Sequence, residues 1–383
     1  MSILRSGGRK RVVAAPTPGD GVHLPGDRTL LDVDDLATHF TTARGTVRAV
    51  DGVSLTLDRG RTLGLVGESG CGKSVLSRSI MGLLPTHNVV RRGEIRFDGQ
   101  RLDGMGPDDL RSFWGTQMAM VFQDPMTSLN PVMRVGRQIT ESLRFHFDME
   151  RAEARETALA LLRSVNIPEP ERRLRQYPHE LSGGMRQRVV IAIALACGPK
   201  LLFADEPTTA LDVTVQAQIL DLLRTQQRER DMAMVLVTHD LGVVAGHTDE
   251  IAVMYAGQIV EQAPTRTLFA KMRMPYTAAL VQSIPRIENP SHTRLNVIGG
   301  RPPTLIDPPQ GCRFAARCPY VQERCREEQP PLMEGDEPGH RYRCWYPVGT
   351  EAGRAALKRN LAAHVPQAEL AVAGQATTAA EAG

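Results

Sequence analysis

No segment of this sequence is long and apolar enough to cross a lipid bilayer. The longest uninterrupted apolar run covers residues 189–197 and stops at Gly198-Pro199, whereas a membrane-spanning helix needs about 20 apolar residues. Residues 1–27 are rich in glycine, proline and basic residues, and no apolar stretch after Arg5 is long enough for a secretory signal. We therefore expect a chain that does not itself span a membrane and that stays in the cytosol.

The chain also lacks an excess of charge of one sign. Its 46 Lys and Arg residues are balanced by 43 Asp and Glu residues, which leaves a net charge of +3. The overall charge therefore gives no reason to propose a nucleic-acid-binding surface. With 383 residues, 42% of them hydrophobic, and no internal repeat, the chain is predicted to form one large domain with a smaller appendage.

The distribution of turn residues and apolar segments predicts four regions. Residues 1–28 are expected to be a flexible tail, and residues 29–262 an α/β domain. That domain begins with a β-rich lobe, in which Asp51-Gly52 and Asp98-Gly99 are turn signals, and it contains a helical subdomain at about 125–200. Prolines between 285 and 309 mark a loop-rich extension covering 263–349. The Ala-rich residues 350–383 are expected to form a frayed helix or to remain disordered.

A glycine-rich segment follows the apolar strand at 63–66 and leads into a helical pattern at 75–84. It reads Gly67-Glu68-Ser69-Gly70-Cys71-Gly72-Lys73-Ser74 and matches the phosphate-binding P-loop pattern. Side chains at Gly70 and Gly72 would block the approach of phosphate to backbone N–H groups, and the helix N-terminus attracts the same anion. Lys73 is predicted to reach the β and γ phosphates, and Ser74 to offer its hydroxyl to Mg²⁺. The residues assigned to ATP binding in this segment are Gly67, Ser69, Gly70, Cys71, Gly72, Lys73 and Ser74.

Polar residues follow three other apolar strands. Asp205 and Glu206 come directly after residues 201–204, where Asp205 suits the Mg²⁺ shell and Glu206 suits a general base acting on water. His239, after residues 234–237, is expected at the same sheet edge, close to the γ phosphate. Gln123, after residues 118–122, is expected to orient water or to complete the metal shell. The alternatives are a strand end that only caps the next segment and a structural histidine.

The segment ahead of residues 201–204 resembles the signature motif of ABC ATPases. It reads Leu181-Ser182-Gly183-Gly184-Met185-Arg186-Gln187-Arg188. In that family the signature serine and glycines close over the γ phosphate held by the opposite subunit, which implies this role for Ser182, Gly183 and Gly184. Small residues at a helix N-terminus suit that contact, because backbone N–H groups can then meet a phosphate.

The resemblance covers roughly residues 30–262 and implies further roles. Gln123 matches the Q-loop of ABC ATPases, Glu206 their catalytic glutamate, Asp212 their D-loop and His239 their switch histidine. The family often places an aromatic ring against adenine, and Phe40 is the nearest candidate upstream of the P-loop. The alternative is that Phe40 simply packs in the β-rich lobe.

Residues 122–131, 177–180 and 204–213 look like the dipeptide/oligopeptide importer group of this family. That resemblance implies peptide import by an extracytoplasmic binding protein, two integral membrane permease subunits and two different ATPase subunits at the cytoplasmic face of the membrane. Met185 and the long C-terminal extension resemble the first of those ATPase subunits. The alternatives are a soluble ABC ATPase acting on nucleic acid or ribosomes, a P-loop kinase or GTPase, and an importer of nickel or another small solute.

Four of the six cysteines fall in the C-terminal extension, at Cys312, Cys318, Cys325 and Cys344. A cytosolic location disfavours disulfides. The gaps of five, six and eighteen residues lack the closely paired cysteines of a zinc ribbon, which favours an iron-sulfur cluster over zinc. The segment 311–319 also resembles the C-terminal extension of peptide-importer ATPases, where a [4Fe-4S] cluster is a plausible occupant. Reduced, packed thiols remain the alternative.

Overall fold

The computed structural model describes residues 28–209, 211–284 and 298–369. Two β-sheets and the helices around them form the described part of the chain, which confirms the predicted α/β class. The strands are β1 Thr29–Thr42, β2 Gly45–Asp58, β3 Thr62–Val66, β4 Val89–Phe97, β5 Gln100–Arg101, β6 Met118–Val121, β7 Leu201–Asp205, β8 Ala233–Thr238, β9 Glu250–Tyr255, β10 Gln258–Pro264, β11 Met333–Glu334 and β12 Arg341–Tyr342.

The α-helices differ widely in length, from four to seventeen residues. They are α1 Lys73–Ile80, α2 Pro107–Phe113, α3 Pro125–Ser128, α4 Val135–Phe147, α5 Arg151–Ser164, α6 Pro170–Arg173, α7 Gly183–Leu195, α8 Val213–Glu229, α9 Leu241–Ala245, α10 Thr265–Lys271, α11 Pro275–Gln282, α12 Glu323–Glu327 and α13 Glu351–Ala362. In the part of the chain that the structure describes, none of them combines the length and hydropathy needed to cross a membrane.

The larger sheet has eight strands in the order β11-β12-β10-β9-β3-β8-β7-β6, and the pairs from β9 to β6 are parallel. Every residue of β3, β6, β7 and β8 is buried. This is the expected environment of apolar runs in a parallel sheet that is covered on both faces. The carboxyl ends of these strands meet at one edge, where the polar residues predicted to be functional are found.

The smaller sheet is antiparallel, in the order β2-β1-β4-β5. Asp98-Gly99 forms the turn between β4 and β5, as predicted, with both residues at positive φ. The prediction of a turn at Asp51-Gly52 is wrong, because both residues lie inside β2. Gly52 has a φ of 71°, and the β1–β2 register shifts between Leu36 and Thr38. The dipeptide therefore forms a bulge, which bends a strand and does not end it.

Helices α3 to α7 occupy the region where a helical subdomain was predicted. Apolar residues of α4, α5 and α7 share one buried cluster, which includes Ile139, Leu162 and Ile191. The helix α7 ends at Leu195, two residues before Cys197. Gly198, at a φ of 66°, follows directly and favours the end of a helix.

The C-terminal extension continues the larger sheet. Strand β12 pairs antiparallel with β10 through Glu261–Tyr342 and Gln262–Arg341, and β11 pairs with β12. Phe314, at 1% exposure, belongs to the same buried cluster as the helical subdomain. Of the Ala-rich tail, residues 351–362 form α13. The predictions for residues 1–27 and 370–383 fall outside the described residues.

Candidate nucleotide site

The P-loop connects the carboxyl end of β3 to the start of α1. A Cβ at Gly67 would lie 2.1 Å from the carbonyl oxygen of Met254, and one at Gly72 would lie 2.1 Å from that of Ala49. Gly72 also has a φ of 110°, which disfavours other residues. The neighbouring strands β9 and β2 therefore require glycine at these two positions. At Gly72 this is a reason in addition to the predicted approach of phosphate. A Cβ at Gly70, which has a φ of 78°, would meet no atom of the described residues within 4 Å.

The side chains of the loop divide into exposed and buried ones. Ser69 and Gly70 are exposed at the tip, whereas Cys71 is buried beneath it. Lys73, at 5% exposure, turns back over the loop. Its Nζ donates to the carbonyl oxygens of Gly67 at 2.8 Å and Glu68 at 3.1 Å. The lysine predicted to bind phosphate is thus held against the loop backbone.

Ser74 and Asp205 form a pair suited to a hard cation. Ser74 Oγ donates to Asp205 Oδ1 at 2.9 Å. Asp205 Oδ2 is buried and has no hydrogen-bond partner among the residues that the structure describes. Burial raises the pKa of Asp205 above its ordinary value, although the Ser74 hydroxyl opposes this effect. Because a buried carboxylate oxygen without a donor is costly, and Mg²⁺ prefers such oxygens as ligands, the two side chains fit Mg²⁺.

Two predicted residues, Gln123 and His239, meet at the carboxylate of a third, Glu206, and each of the three follows a different strand. Glu206 follows β7, and its side chain is 12% exposed. Gln123, after β6, donates from Nε2 to Glu206 Oε2 at 2.9 Å. His239, after β8, places Nδ1 3.4 Å from Glu206 Oε1. Thr209 Oγ1 also donates to Glu206 Oε2, at 3.1 Å, a contact that sequence reasoning missed although residues 204–213 were singled out.

The signature residues lie at the N-terminus of α7 and face outwards. Ser182 is the N-cap, and its Oγ accepts from the Met185 N–H at 3.4 Å. Ser182 and Gly183 are exposed, as is Asp212, which caps α8. A Cβ at Gly184 would lie 2.9 Å from Val215 Cγ1, so glycine lets the start of α7 approach α8 closely.

Phe40 is half-buried on β1, opposite Val47 of β2 and Val89 of β4. Its predicted contact with adenine stays a prediction.

The four C-terminal cysteines line one small cavity of about 10 Å³. Burial raises the pKa of Cys312 to about 11 and raises those of Cys318, Cys325 and Cys344 as well. All six cysteines are free thiols. Within the described ranges, no three His, Cys, Asp or Glu side chains are grouped as a site for one metal ion. The fold therefore brings the four thiols to one cavity, but it does not arrange them as ligands of a single metal ion.

Sequence reasoning also missed a contact between the P-loop and the C-terminal extension. Arg317 pairs with Glu68, from which it is separated by 249 positions. No local motif could have indicated this pair, because it depends on how the extension packs against the core.

Comparison with known proteins identifies the family of this chain. The ABC transporter family matches residues 50–209, and the oligopeptide/dipeptide transporter C-terminal region matches residues 260–325. A probable peptide ABC transporter ATP-binding protein, y4tR of Sinorhizobium fredii, is 52% identical over 82% of this chain and 94% of its own length. The dipeptide transport ATP-binding protein DppD of Escherichia coli is 47% identical over 86% of this chain and 99% of its own length.

Among solved structures, the dimeric post-hydrolysis state of the ATP-binding cassette MJ0796 bound to ADP and Pi is similar. It has a TM-score of 0.56 and 28% identity, and the match covers 62% of this chain and 99% of that one. The fold and the site define an ABC-type ATPase. The chain belongs to the family of oligopeptide/dipeptide ABC transporter ATP-binding proteins.

Proposed function

We propose that this chain binds ATP with Mg²⁺ and that its hydrolysis of ATP drives the import of peptides through partner membrane subunits. The observation that carries the proposal is the convergence of Gln123 and His239 on the Glu206 carboxylate, next to the P-loop. Mg²⁺ held by Ser74 and Asp205 would neutralise charge on the triphosphate.

The chain's own residues divide the work of hydrolysis. Lys73 binds the terminal phosphates, and Glu206 accepts a proton from the attacking water. Gln123 and Thr209 hold one oxygen of Glu206 through the hydrogen bonds described above, which leaves the carboxylate in one orientation. His239 lies beside the other oxygen and is 57% exposed, so its ring is accessible to the γ phosphate.

The exposed position of Ser182 and Gly183 supports the proposal that they complete the nucleotide site of a second ATPase subunit. The names of the relatives support peptides as the cargo and favour neither nickel nor nucleic acid. Two permease subunits and an extracytoplasmic peptide-binding protein complete the proposed assembly, in which this chain lies at the cytoplasmic face of the membrane. We propose that the second ATPase subunit is a different chain.

Substituting Glu206→Gln in the assembled transporter tests the function. We expect ATP binding to persist and ATP turnover to fall by roughly 10²- to 10⁴-fold, because the general base is lost. Uptake of a labelled peptide into proteoliposomes should fall with it. Asp249→Asn is the matched control, since Asp249 bonds Arg61 and Thr62 at the opposite edge of the same sheet. Undiminished turnover in Glu206→Gln would refute the assignment of the base, and uptake of nickel but not peptide would refute the cargo.

We propose further that Cys312, Cys318, Cys325 and Cys344 hold a [4Fe-4S] cluster. Their shared cavity supports this, since the four thiolates of such a cluster bind four different irons and need not meet at one ion. Purification without oxygen, followed by iron and sulfide analysis, tests it. Cys318→Ser should lose iron, whereas Cys197→Ser, outside the cavity, should retain it. A colourless, iron-free product would exclude the cluster.

A further inference from the structure

Glu68 of the P-loop is held at three points, and two of them belong to the C-terminal half of the chain. Its carboxylate receives two parallel hydrogen bonds from the Arg317 guanidinium, at 2.7 and 2.9 Å. Its backbone N–H donates to the Tyr276 hydroxyl at 2.9 Å. Its carbonyl oxygen accepts from Lys73 Nζ. The residue therefore links the C-terminal extension to the lysine that binds phosphate.

Arg317 is itself fixed in place. Its side chain is 3% exposed. Its remaining donors reach the carbonyl oxygens of Gly299 at 2.9 Å and Ile298 at 3.1 Å and the Tyr255 hydroxyl at 3.3 Å. Burial alone lowers the pKa of Arg317, but the hydrogen bonds to Glu68 and Tyr255 outweigh it and raise the pKa above its ordinary value. The guanidinium is a rigid, permanently charged support.

Stability alone gives a weak reason for this pair. A buried ion pair costs desolvation that its attraction only partly offsets, and apolar residues of similar volume often serve as well. Here the carboxylate belongs to Glu68, which stands between Gly67 and Ser69 in the loop predicted to bind phosphate. A planar two-bond contact fixes orientation as well as distance, which suits a loop whose backbone groups must be pre-arranged for an anion.

We propose that Arg317 is a positioning residue for ATP binding: through Glu68 it holds the P-loop backbone and Lys73 in the arrangement that receives the triphosphate. The extension thereby contributes to the nucleotide site from outside the part of the chain that carries the ATPase motifs. Arg317 directly precedes Cys318, so the segment that lines the cysteine cavity also supports the P-loop.

A double-mutant cycle on the full chain in the assembled transporter tests this proposal. The variants are Arg317→Gln, Glu68→Gln and the two combined. We expect each single variant to raise the KM for ATP by about tenfold with kcat changed by less than about twofold, the pattern of lost uniform binding. The combined variant should be no worse than either single one, because both remove the same contact.

Two further variants separate positioning from general structural support. Arg317→Lys keeps the charge but loses the two-bond contact, so its KM should lie between those of the wild type and Arg317→Gln. Arg324→Gln is the control: this half-exposed arginine of the same extension pairs with Glu328 and stacks on Trp345, and its loss should leave KM unchanged.

The outcomes are distinguishable from those of the transport and cluster proposals, since the KM for ATP is measured without cargo and Glu68→Gln leaves the cysteines intact. A wild-type KM in Glu68→Gln would overturn the proposal. So would a combined variant whose increase in KM equals the product of the increases in the two single variants. If Arg317→Gln fails to fold, Glu68→Gln still decides the question by itself.

Discussion

At the scale of single residues, the adjacent carboxylates Asp205 and Glu206 have different surroundings. Asp205 is fully buried, and one of its oxygens has no hydrogen-bond donor within the described ranges of the chain. Glu206 has three polar neighbours and a φ of 46°, in the left-handed region that non-glycine residues rarely adopt. Strained backbone is common at functional sites because the surrounding structure must hold it. The two carboxylates are therefore suited to different tasks, metal binding and proton transfer.

Asp205→Asn should stabilise the nucleotide-free protein while weakening Mg²⁺-dependent ATP binding. The pKa of Asp205 is raised by burial, so its charged form at neutral pH costs stability, and this cost grows as pH rises through the folded-state pKa. Replacing the charge with an amide should raise the free energy of unfolding by about 1 kcal/mol. Thermal unfolding at pH 7 with and without MgATP checks both effects. A lower melting temperature without nucleotide would contradict this account.

At the scale of elements, the starts of α7 and α8 form one outward-facing surface. Ser182 and Asp212 each cap their helix through a side-chain oxygen, which satisfies backbone N–H groups that a helix start leaves unpaired. Gly184 lets the two helix starts approach. Ser182 and Asp212 remain exposed at this surface, where we propose that a second ATPase subunit binds.

Ser182→Arg should separate ATP binding from ATP hydrolysis. Since Ser182 is predicted to act on nucleotide held by the opposite subunit, ATP affinity of the full chain alone should be unchanged. Turnover by the assembled transporter should fall by roughly 10²-fold, as when one phosphate-binding or oxyanion-binding donor is lost. Thr350→Arg, which removes the cap of α13, is the control for lost capping. Equal losses of activity in the two variants would show that Ser182 acts only as the cap of α7.

At the scale of the whole molecule, the C-terminal extension joins the core at two kinds of contact. Strand β12 adds to the sheet edge at β10, which covers a strand edge that would otherwise be open to other chains. Arg313, with a side chain 4% exposed, pairs with Asp51 of β2 and donates to the Ala256 carbonyl. His39 lies 2.9 Å from the other Asp51 oxygen.

Asp51→Asn should make this junction less stable in a pH-dependent way. Burial alone would raise the pKa of Asp51, but the bond from Arg313 and the neighbouring His39 lower it below 3.8. The stabilisation is therefore complete above the unfolded-state pKa and is lost as pH falls through the lower folded-state value. We expect a loss of roughly 1–3 kcal/mol at pH 7, as for hydrogen bonds to charged groups.

Urea unfolding between pH 7 and pH 3.5 measures the effect. The difference between wild type and Asp51→Asn should be constant above about pH 5 and should shrink below it, since unperturbed Asp titrates near 4. Asp108→Asn, whose carboxylate is 92% exposed, should show no such difference. A difference that grows at low pH would refute the assigned direction of the pKa.

The local motifs could be predicted from the sequence because their chemistry depends on residues that are neighbours in the chain. A glycine-rich loop between an apolar strand and a helix, two acidic residues after another strand, and a serine before two glycines each specify a local shape. The rule that parallel strands end at one edge then predicted that His239 lies at the same sheet edge as Glu206, whereas only the structure shows Gln123 beside Glu206. The turn assigned to Asp51-Gly52 was wrong because pairing with β1 extends through it as a bulge, which local sequence does not reveal.

The ATPase chemistry could be predicted from the residues alone, since that chemistry resides in short segments whose backbone and side chains act together. The folded chain was needed to show that four cysteines share one cavity, that β12 extends the larger sheet and that Arg317 pairs with Glu68 of the P-loop. These contacts join positions far apart in the chain. Their physical basis is the packing of one buried surface against another, which no local pattern of residues encodes.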